Sequence, residues 1–287
     1  MLESAGAGPP APRAGPTEDR PRERHRFSTL GCPDWSLNDT LARGRAWGYD
    51  AIEVGIVDGE LVGPGMPADE RARVAAQLRA SGLAVTAVAS SVQLVRGDVA
   101  AAELHALLEI AAQWRAPWVR VLSGALDPDA PRSTQLEAMA EVVRGVPPLV
   151  ERLGVGVALA TDDDLSAAGA AAELLALVED AGFGVIWDVL HTWRAGDTPS
   201  DAWHALADRL VEIQVKDARA GPDGPIVATL LGDGDVPWRE CLSLADGGDF
   251  LGPLVVEWEK RWHPEIAEPD VAMPQHLAVI RGAITTA

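Results

Sequence analysis

The sequence predicts a single (β/α)8 barrel, and three observations carry that prediction. From Phe27 onward, short apolar or β-branched runs alternate eight times with longer Ala, Leu, Glu and Arg stretches of helical period. That is the pattern of βα units building a parallel sheet. At 287 residues and 47% apolar content, the chain matches the usual size of one α/β barrel around one large core. The turn after the first strand reads Gly31-Cys32-Pro33-Asp34-Trp35. It lacks the glycine-rich phosphate fingerprint that an open doubly wound sheet carries there, and no P-loop follows any other strand.

Residues 1–25 mix Pro9, Pro10, Pro12, Pro16 and Pro21 with charged side chains and read as a disordered tail; the barrel domain follows at 26–287. The tail lacks an apolar segment of the kind a secretory signal needs. The predicted strands are Phe27 to Gly31, Ala51 to Gly55, Ala84 to Ala89, Trp118 to Leu122, Val155 to Ala160, Gly184 to Asp188, Leu210 to Lys216 and Leu254 to Glu257. The helices between and after them are Leu37 to Trp47, Ala68 to Ala80, Ala100 to Gln113, Thr134 to Leu153, Ala167 to Ala181, Ser200 to Ala207, Trp238 to Ala245 and Val271 to Thr285. Ser36 and Ser200 suit N-caps, and Gly48, Gly82 and Gly154 suit left-handed helix stops.

Composition narrows the function. A net charge of -19 and a pI near 4.6 repel nucleic acid and anionic lipid, leaving a small molecule as the expected partner. Cys32 and Cys241 form no spaced framework, which fits a reducing, cytoplasmic setting. No run approaches the roughly 18 apolar residues of a membrane span.

Alternation along a strand puts residues i, i+2 and i+4 on one face. In strand seven this separates Glu212, Gln214 and Lys216, aimed into the barrel, from Val211, Ile213 and Val215, aimed at the helices. The same reasoning turns Glu53 and Arg120 inward and sets Asp188 and Glu257 at the ends of strands six and eight, where barrel enzymes keep their chemistry. Glu53 and Arg120 would equally serve as a packing ion pair, Lys216 as a rim salt bridge, and His191 as a solvated loop imidazole. Ten tryptophans stand against one tyrosine and three phenylalanines. Trp35, Trp193, Trp258 and Trp262 follow strands one, six and eight and would wall a ligand or cap the barrel. Lys216, Arg219, Lys260 and Arg261 are the groups available to a phosphate.

Several segments resemble the sugar phosphate isomerase/epimerase family, which looks like xylose isomerase without its C-terminal arm. They are Gly48-Tyr49-Asp50-Ala51-Ile52-Glu53, Trp187-Asp188-Val189-Leu190-His191 with Arg194 and Gly196, Gln214-Val215-Lys216-Asp217, the run from Leu231 to Trp238, and Val255-Val256-Glu257-Trp258-Glu259. The resemblance implies a divalent cation, usually manganese, magnesium, cobalt or zinc, held by Glu, Asp, His and Glu from the ends of strands five to eight. Asp188 and Glu257 match that set; Ala160 and Gln214 stand where the first glutamate and the histidine belong. Alanine coordinates nothing, and an amide oxygen is a weaker donor than imidazole. Asp162 would have to complete a shell of Asp188, Gln214 and Glu257, suiting Mg²⁺ or Mn²⁺ held weakly.

The resemblance also implies paired glutamates on strands five and eight as acid and base, a pair that Ala160 breaks. The expected enzyme is therefore an isomerase, epimerase or diverged lyase acting on a polyhydroxylated or carbonyl-bearing molecule. Glu257 would be its base, with His191, Lys216 and Asp188 polarising or orienting, and Glu53, Arg120, Arg219, Trp35, Trp193 and Trp258 holding substrate. The alternative is a catalytically silent small-molecule binding protein on the same barrel, and such barrels also tend to pair as homodimers. The related endonuclease IV type needs a histidine-rich zinc cluster. Of six histidines here, His25 lies in the expected tail and His105, His204 and His276 in helices, so none is assembled.

Overall fold

The computed structural model describes residues 25–219 and 226–285. Eight parallel strands close into a barrel. They are β1 (His25–Ser28), β2 (Ala51–Val54), β3 (Ala84–Gln93), β4 (Trp118–Leu122), β5 (Gly156–Ala160), β6 (Phe183–Asp188), β7 (Leu210–Val215) and β8 (Leu254–Val256). Each pairs with its sequence neighbours, and β1 closes the ring on β8 through Arg26 opposite Val255. Small antiparallel pairs, 56–57 with 60–61 and 217–219 with 227–229, decorate the end where the strands finish. No helix among the described residues is long and apolar enough to cross a membrane.

Most elements lie where alternation and caps put them. Helix Leu37–Trp47 starts on Ser36, whose hydroxyl accepts from Asp39 N at 3.1 Å, and stops at Gly48 with φ 95°. Four details differ. His25 is not tail: it is buried and opens β1 opposite Leu254, while residues 1–24 of the expected tail lie outside the described residues. The expected helix from Thr134 to Leu153 is two, Arg132–Arg144 and Pro147–Leu153, because Pro147 and Pro148 carry no N–H to continue the first. The cap before helix Pro199–Leu206 is Thr198 rather than Ser200, since Pro199 occupies the first helical position. The segment after β6 is a short helix, Val189–Arg194, not a loop.

The main apolar core lies between barrel and helices, with Phe27, Ile52, Val88, Val119, Leu159, Trp187, Ile213 and Val256 turned outward. Inside the barrel a separate cluster of Ala158, Ala160 and Ile186 packs against Trp118, Leu122 and Val211. Val211 was expected outside. A register shift between Val185 and Ile186 makes β7 step from Leu210 to Glu212 across from consecutive β6 residues. Val211 is the bulged residue and turns in with Glu212.

The loop after β7 is organised by Asp217, whose buried carboxylate accepts from Ala218 N at 2.9 Å, Gly232 N at 2.8 Å, Gly234 N at 3.0 Å and Val236 N at 3.2 Å. Gly234 has no room for a side chain, since a Cβ there would stand 2.1 Å from Asp217 Oδ1. Truncating Asp217 leaves these N–H groups to find new partners. Asp217→Ala is expected to lower Tm by about 5–10 °C in a thermal melt; a shift below about 2 °C would mean that the loop does not depend on this carboxylate.

Candidate active site

The site grows from the ends of β6, β7 and β8. Asp188 ends β6 and caps the helix that follows: Oδ1 accepts from Leu190 N at 2.9 Å and His191 N at 3.1 Å. Its own N–H donates to Thr161 Oγ1 at 2.9 Å. The cap leaves Oδ2 turned inward, and it places His191 one turn on, above the rim. Lys216 follows β7, and Glu257 and Glu259 follow β8 on the same face, two residues apart.

These groups meet at one point. Lys216 Nζ stands 2.7 Å from Asp188 Oδ2, 2.8 Å from Glu257 Oε2 and 2.6 Å from Glu259 Oε1. The Asp188 contact, the most buried of the three, is an ion pair. Arg120 Nη1 donates to Glu257 Oε1 at 2.6 Å, clamping that carboxylate from the other side. His191 Nε2 lies 3.3 Å from Lys216 Nζ, 3.6 Å from Asp188 Oδ2 and Asp162 Oδ1, and 3.7 Å from Glu259 Oε1. The lysine and the Asp188 and Glu257 side chains are at most 5% exposed, whereas His191 is 11% and Glu259 20% exposed, so the latter two are the more open to solvent.

Charge follows depth and partners. Burial opposes the charged form of Lys216, but Asp188, Glu257 and Glu259 outweigh it and hold the amine well above its ordinary range, as an ammonium. Lys216 pulls Glu259 well below the carboxylate range; Glu257 is also lowered, because Lys216 and Arg120 overcome its burial. Burial works against His191 too, yet Asp188, with Glu259 and Asp162, raises it above 6.5. Deeper in the barrel, burial raises Glu53, and it raises Glu212 well above the ordinary value with help from Glu53.

The predicted residues separate into two groups. Asp188, His191, Lys216, Glu257 and Arg120 converge. Glu53 is buried below them and receives the Gln214 amide N–H at 3.3 Å. The others do not line the mouth as expected. Trp258 points outward between inward Glu257 and Glu259; its indole donates to Ala267 O at 2.9 Å and meets His276 edge-on at 5.1 Å. Trp35 packs beside Trp47 at 5.9 Å with the Arg43 guanidinium 4.4 Å above it, and Trp193 lies against the outer core. Arg219 donates to Asp233 O, and Lys260 Nζ to Pro264 O, Ile266 O and Glu268. Thr161 and Glu259 were not picked out as site residues from sequence. Glu259 was findable by continuing the alternation two residues past Glu257.

An eight-stranded parallel barrel whose ionisable groups gather at the C-terminal rim is a TIM barrel arranged as its enzymes are. The chain belongs to the xylose isomerase-like TIM barrel family, whose family model matches residues 41–282. Comparison with curated protein sequences finds no match. Among solved structures, the fold is similar to the probable 3-DHS dehydratase AsbF of Bacillus anthracis, with TM-score 0.73 and 16% identity over 90% of this chain and 98% of that one. It is similar to the IOLI protein with a bound zinc atom, with TM-score 0.76 and 14% identity over 92% and 98%. It is also similar to a D-psicose 3-epimerase solved with D-fructose, with TM-score 0.71 and 15% identity over 91% and 99%.

A divalent ion does not fit the residues present. Ala160 belongs to the apolar inner cluster, Gln214 is turned to Glu53, and the Lys216 ammonium stands between Asp188 and Glu257. Asp162, the expected replacement ligand, accepts from Asp163 N at 2.7 Å. Its loop is pinned to the neighbouring one by Asp163 to Gly124 N at 2.9 Å and Asp164 to Leu126 N at 2.6 Å. Among the described residues, no group of three or more His, Cys, Asp or Glu side chains is arranged to hold a metal.

Glu212 supplies a test of the interior electrostatics. Its folded pKa lies above the ordinary 4.5, so the native chain keeps this proton after the unfolded chain has lost it. Its contribution to stability is complete below that value and declines as pH rises toward the folded pKa. Glu212→Gln keeps the shape without the titration. The variant's Tm is expected to gain on the native protein progressively above pH 4.5, and parallel pH curves would contradict the raised pKa.

Proposed function

We propose that this barrel is an enzyme of the isomerase/epimerase type that moves a proton at a carbon beside a carbonyl in a small, uncharged, polyhydroxylated molecule. The observation that carries this reading is the Lys216 ammonium held at the rim, 3.3 Å from His191. Deprotonating such a carbon needs a base and a positive group for the developing oxyanion, and both are in place. Neutral His191 takes the proton, the C–H electron pair moves into the carbonyl, and the oxygen receives an N–H of Lys216. Returning the proton to the former carbonyl carbon, while the neighbouring hydroxyl passes its proton to the enediolate oxygen, isomerises; a solvent proton delivered to the opposite face of the same carbon, with His191 releasing the one it took, epimerises; and expelling a β-hydroxyl with the proton from His191 as water dehydrates. The family membership and the likeness to an epimerase and a probable dehydratase support this class of chemistry.

This reading moves the base from Glu257 to His191. Glu257 is pinned by Arg120 and Lys216 and lowered in pKa, which makes it a poor proton acceptor and a good anchor. The substrate is uncharged because Asp162, Asp188, Glu257 and Glu259 outnumber Lys216 and Arg120 at the mouth, and Arg219 and Lys260 are engaged elsewhere. One observation favours the silent binding protein instead: the ammonium is already engaged by Asp188, Glu257, Glu259 and the His191 ring, so substrate must displace one of them, most easily Glu259.

The two readings part in deuterium oxide. A panel of ketoses and cyclic polyhydroxy ketones, followed by NMR, should show deuterium entering beside the carbonyl with the native protein. The rate is expected to fall by about 10²–10⁴-fold in Lys216→Met or His191→Asn. Because His191 must be neutral and its pKa is raised above 6.5, the rate should climb with pH from that point, and this limb should vanish in His191→Asn. Binding without exchange would establish the silent reading; neither binding nor exchange across the panel would sink the substrate class.

A further inference from the structure

Each carboxylate around Lys216 turns one oxygen to the same point, and two of the three are fixed there. The other oxygen of Asp188 is fixed by the backbone N–H groups of Leu190 and His191 at 2.9 and 3.1 Å, and that of Glu257 by Arg120 at 2.6 Å. The inward oxygens of Asp188, Glu257 and Glu259 lie 2.7, 2.8 and 2.6 Å from one nitrogen. Three carboxylate oxygens, two of them on carboxylates fixed from behind, converge on one point and form a cradle for a cation. The chain fills the cradle itself.

We propose that Lys216 is the resident cation of this site, covalently built in where a divalent ion would otherwise sit, and that its presence keeps such ions out. An entering ion would have to sit on the ammonium or expel it. Expelling it means breaking three short ion pairs and moving a charge from the 5% exposed lysine side chain to the surface. Mg²⁺ additionally demands near-octahedral oxygen at about 2.0–2.1 Å, which a centre occupied by nitrogen cannot offer. A fixed monovalent ammonium stabilises less developing charge than a divalent ion. The substrate class narrows accordingly, to carbonyl compounds whose adjacent C–H is already acidic, such as those with a second carbonyl beside the same carbon. This last step rests on the proton-transfer reading above, but the built-in cation is tested by binding alone and stands or falls separately.

The test compares the full chain with Lys216→Ala and Lys216→Arg after chelator treatment. It uses Mn²⁺ alone as the probe, with free Mn²⁺ counted by electron paramagnetic resonance and thermal melts run in parallel. The native protein and Lys216→Arg should bind no stoichiometric Mn²⁺ and shift in Tm by less than about 1 °C, whereas Lys216→Ala, with the cradle emptied, should bind it and gain about 3 °C or more. If Lys216→Ala does not fold unaided, refolding with Mn²⁺ or methylammonium should restore it. Stoichiometric Mn²⁺ on the native protein lost in Asp188→Asn would overturn the proposal. So would a folded Lys216→Ala that ignores Mn²⁺, or an unfolded one that neither cation rescues.

Discussion

A buried ammonium is among the costlier groups a barrel can hold, since desolvation removes several kcal/mol that only close counter-charges return. At Lys216 those counter-charges come from two other strand ends, and much of the surrounding order serves to hold them still. Asp188 is fixed by capping the helix after β6, and Thr161 receives its backbone N–H, tying β5 to the same point. Glu257 is fixed by Arg120, which rises from β4 across the barrel. Three strands and a helix terminus are thus oriented by one charge, and the geometry of the rim follows from satisfying it.

The barrel interior is divided by the same logic. One side, lined from β4, β5, β6 and the bulge of β7, is filled with Trp118, Leu122, Ala158, Ala160, Ile186 and Val211. The other carries Glu53, Glu212, Gln214 and the rim cluster. Depth then separates the acids: Glu53 and Glu212, far from the ammonium, are pushed toward the neutral form, while Glu257 and Glu259 beside it are kept ionised. Asp188, equally close to the ammonium, is nevertheless raised by its burial, so depth and partners act together on these carboxyls.

Much of this was legible in sequence because period-two alternation and strand-end position are local properties. Asp188, Lys216 and Glu257 were found that way, and so were six strands to within one residue of their observed bounds. What escaped depended on neighbours in space. The β7 bulge that turns Val211 inward is set by pairing with β6 and leaves no mark in the composition of β7. Trp258 reads as a ligand wall by its rank after β8, yet alternation, carried two residues further, assigns it outward and Glu259 inward. His25 and Arg26 disguise the start of β1 because two polar residues do not look like a strand, although the closing pair with β8 needs them. His191 was found, but its helix was not: the Asp188 cap that creates it is visible only once the backbone turns.

Asp217 follows Lys216 directly, and on the opposite face it gathers the loop from Gly232 to Val236. The peptide unit that aims the ammonium is therefore also the mooring of a surface loop. Recombination or insertion within that loop would be transmitted to the position of the charge within one residue's length. By contrast the loop of residues 124–130, tied to Asp163, Asp164 and Gln135, hangs from side chains that touch neither Lys216 nor Glu257. A lineage changing its substrate would find the freer material there, with the loop beyond Asp217 as the inherited constant.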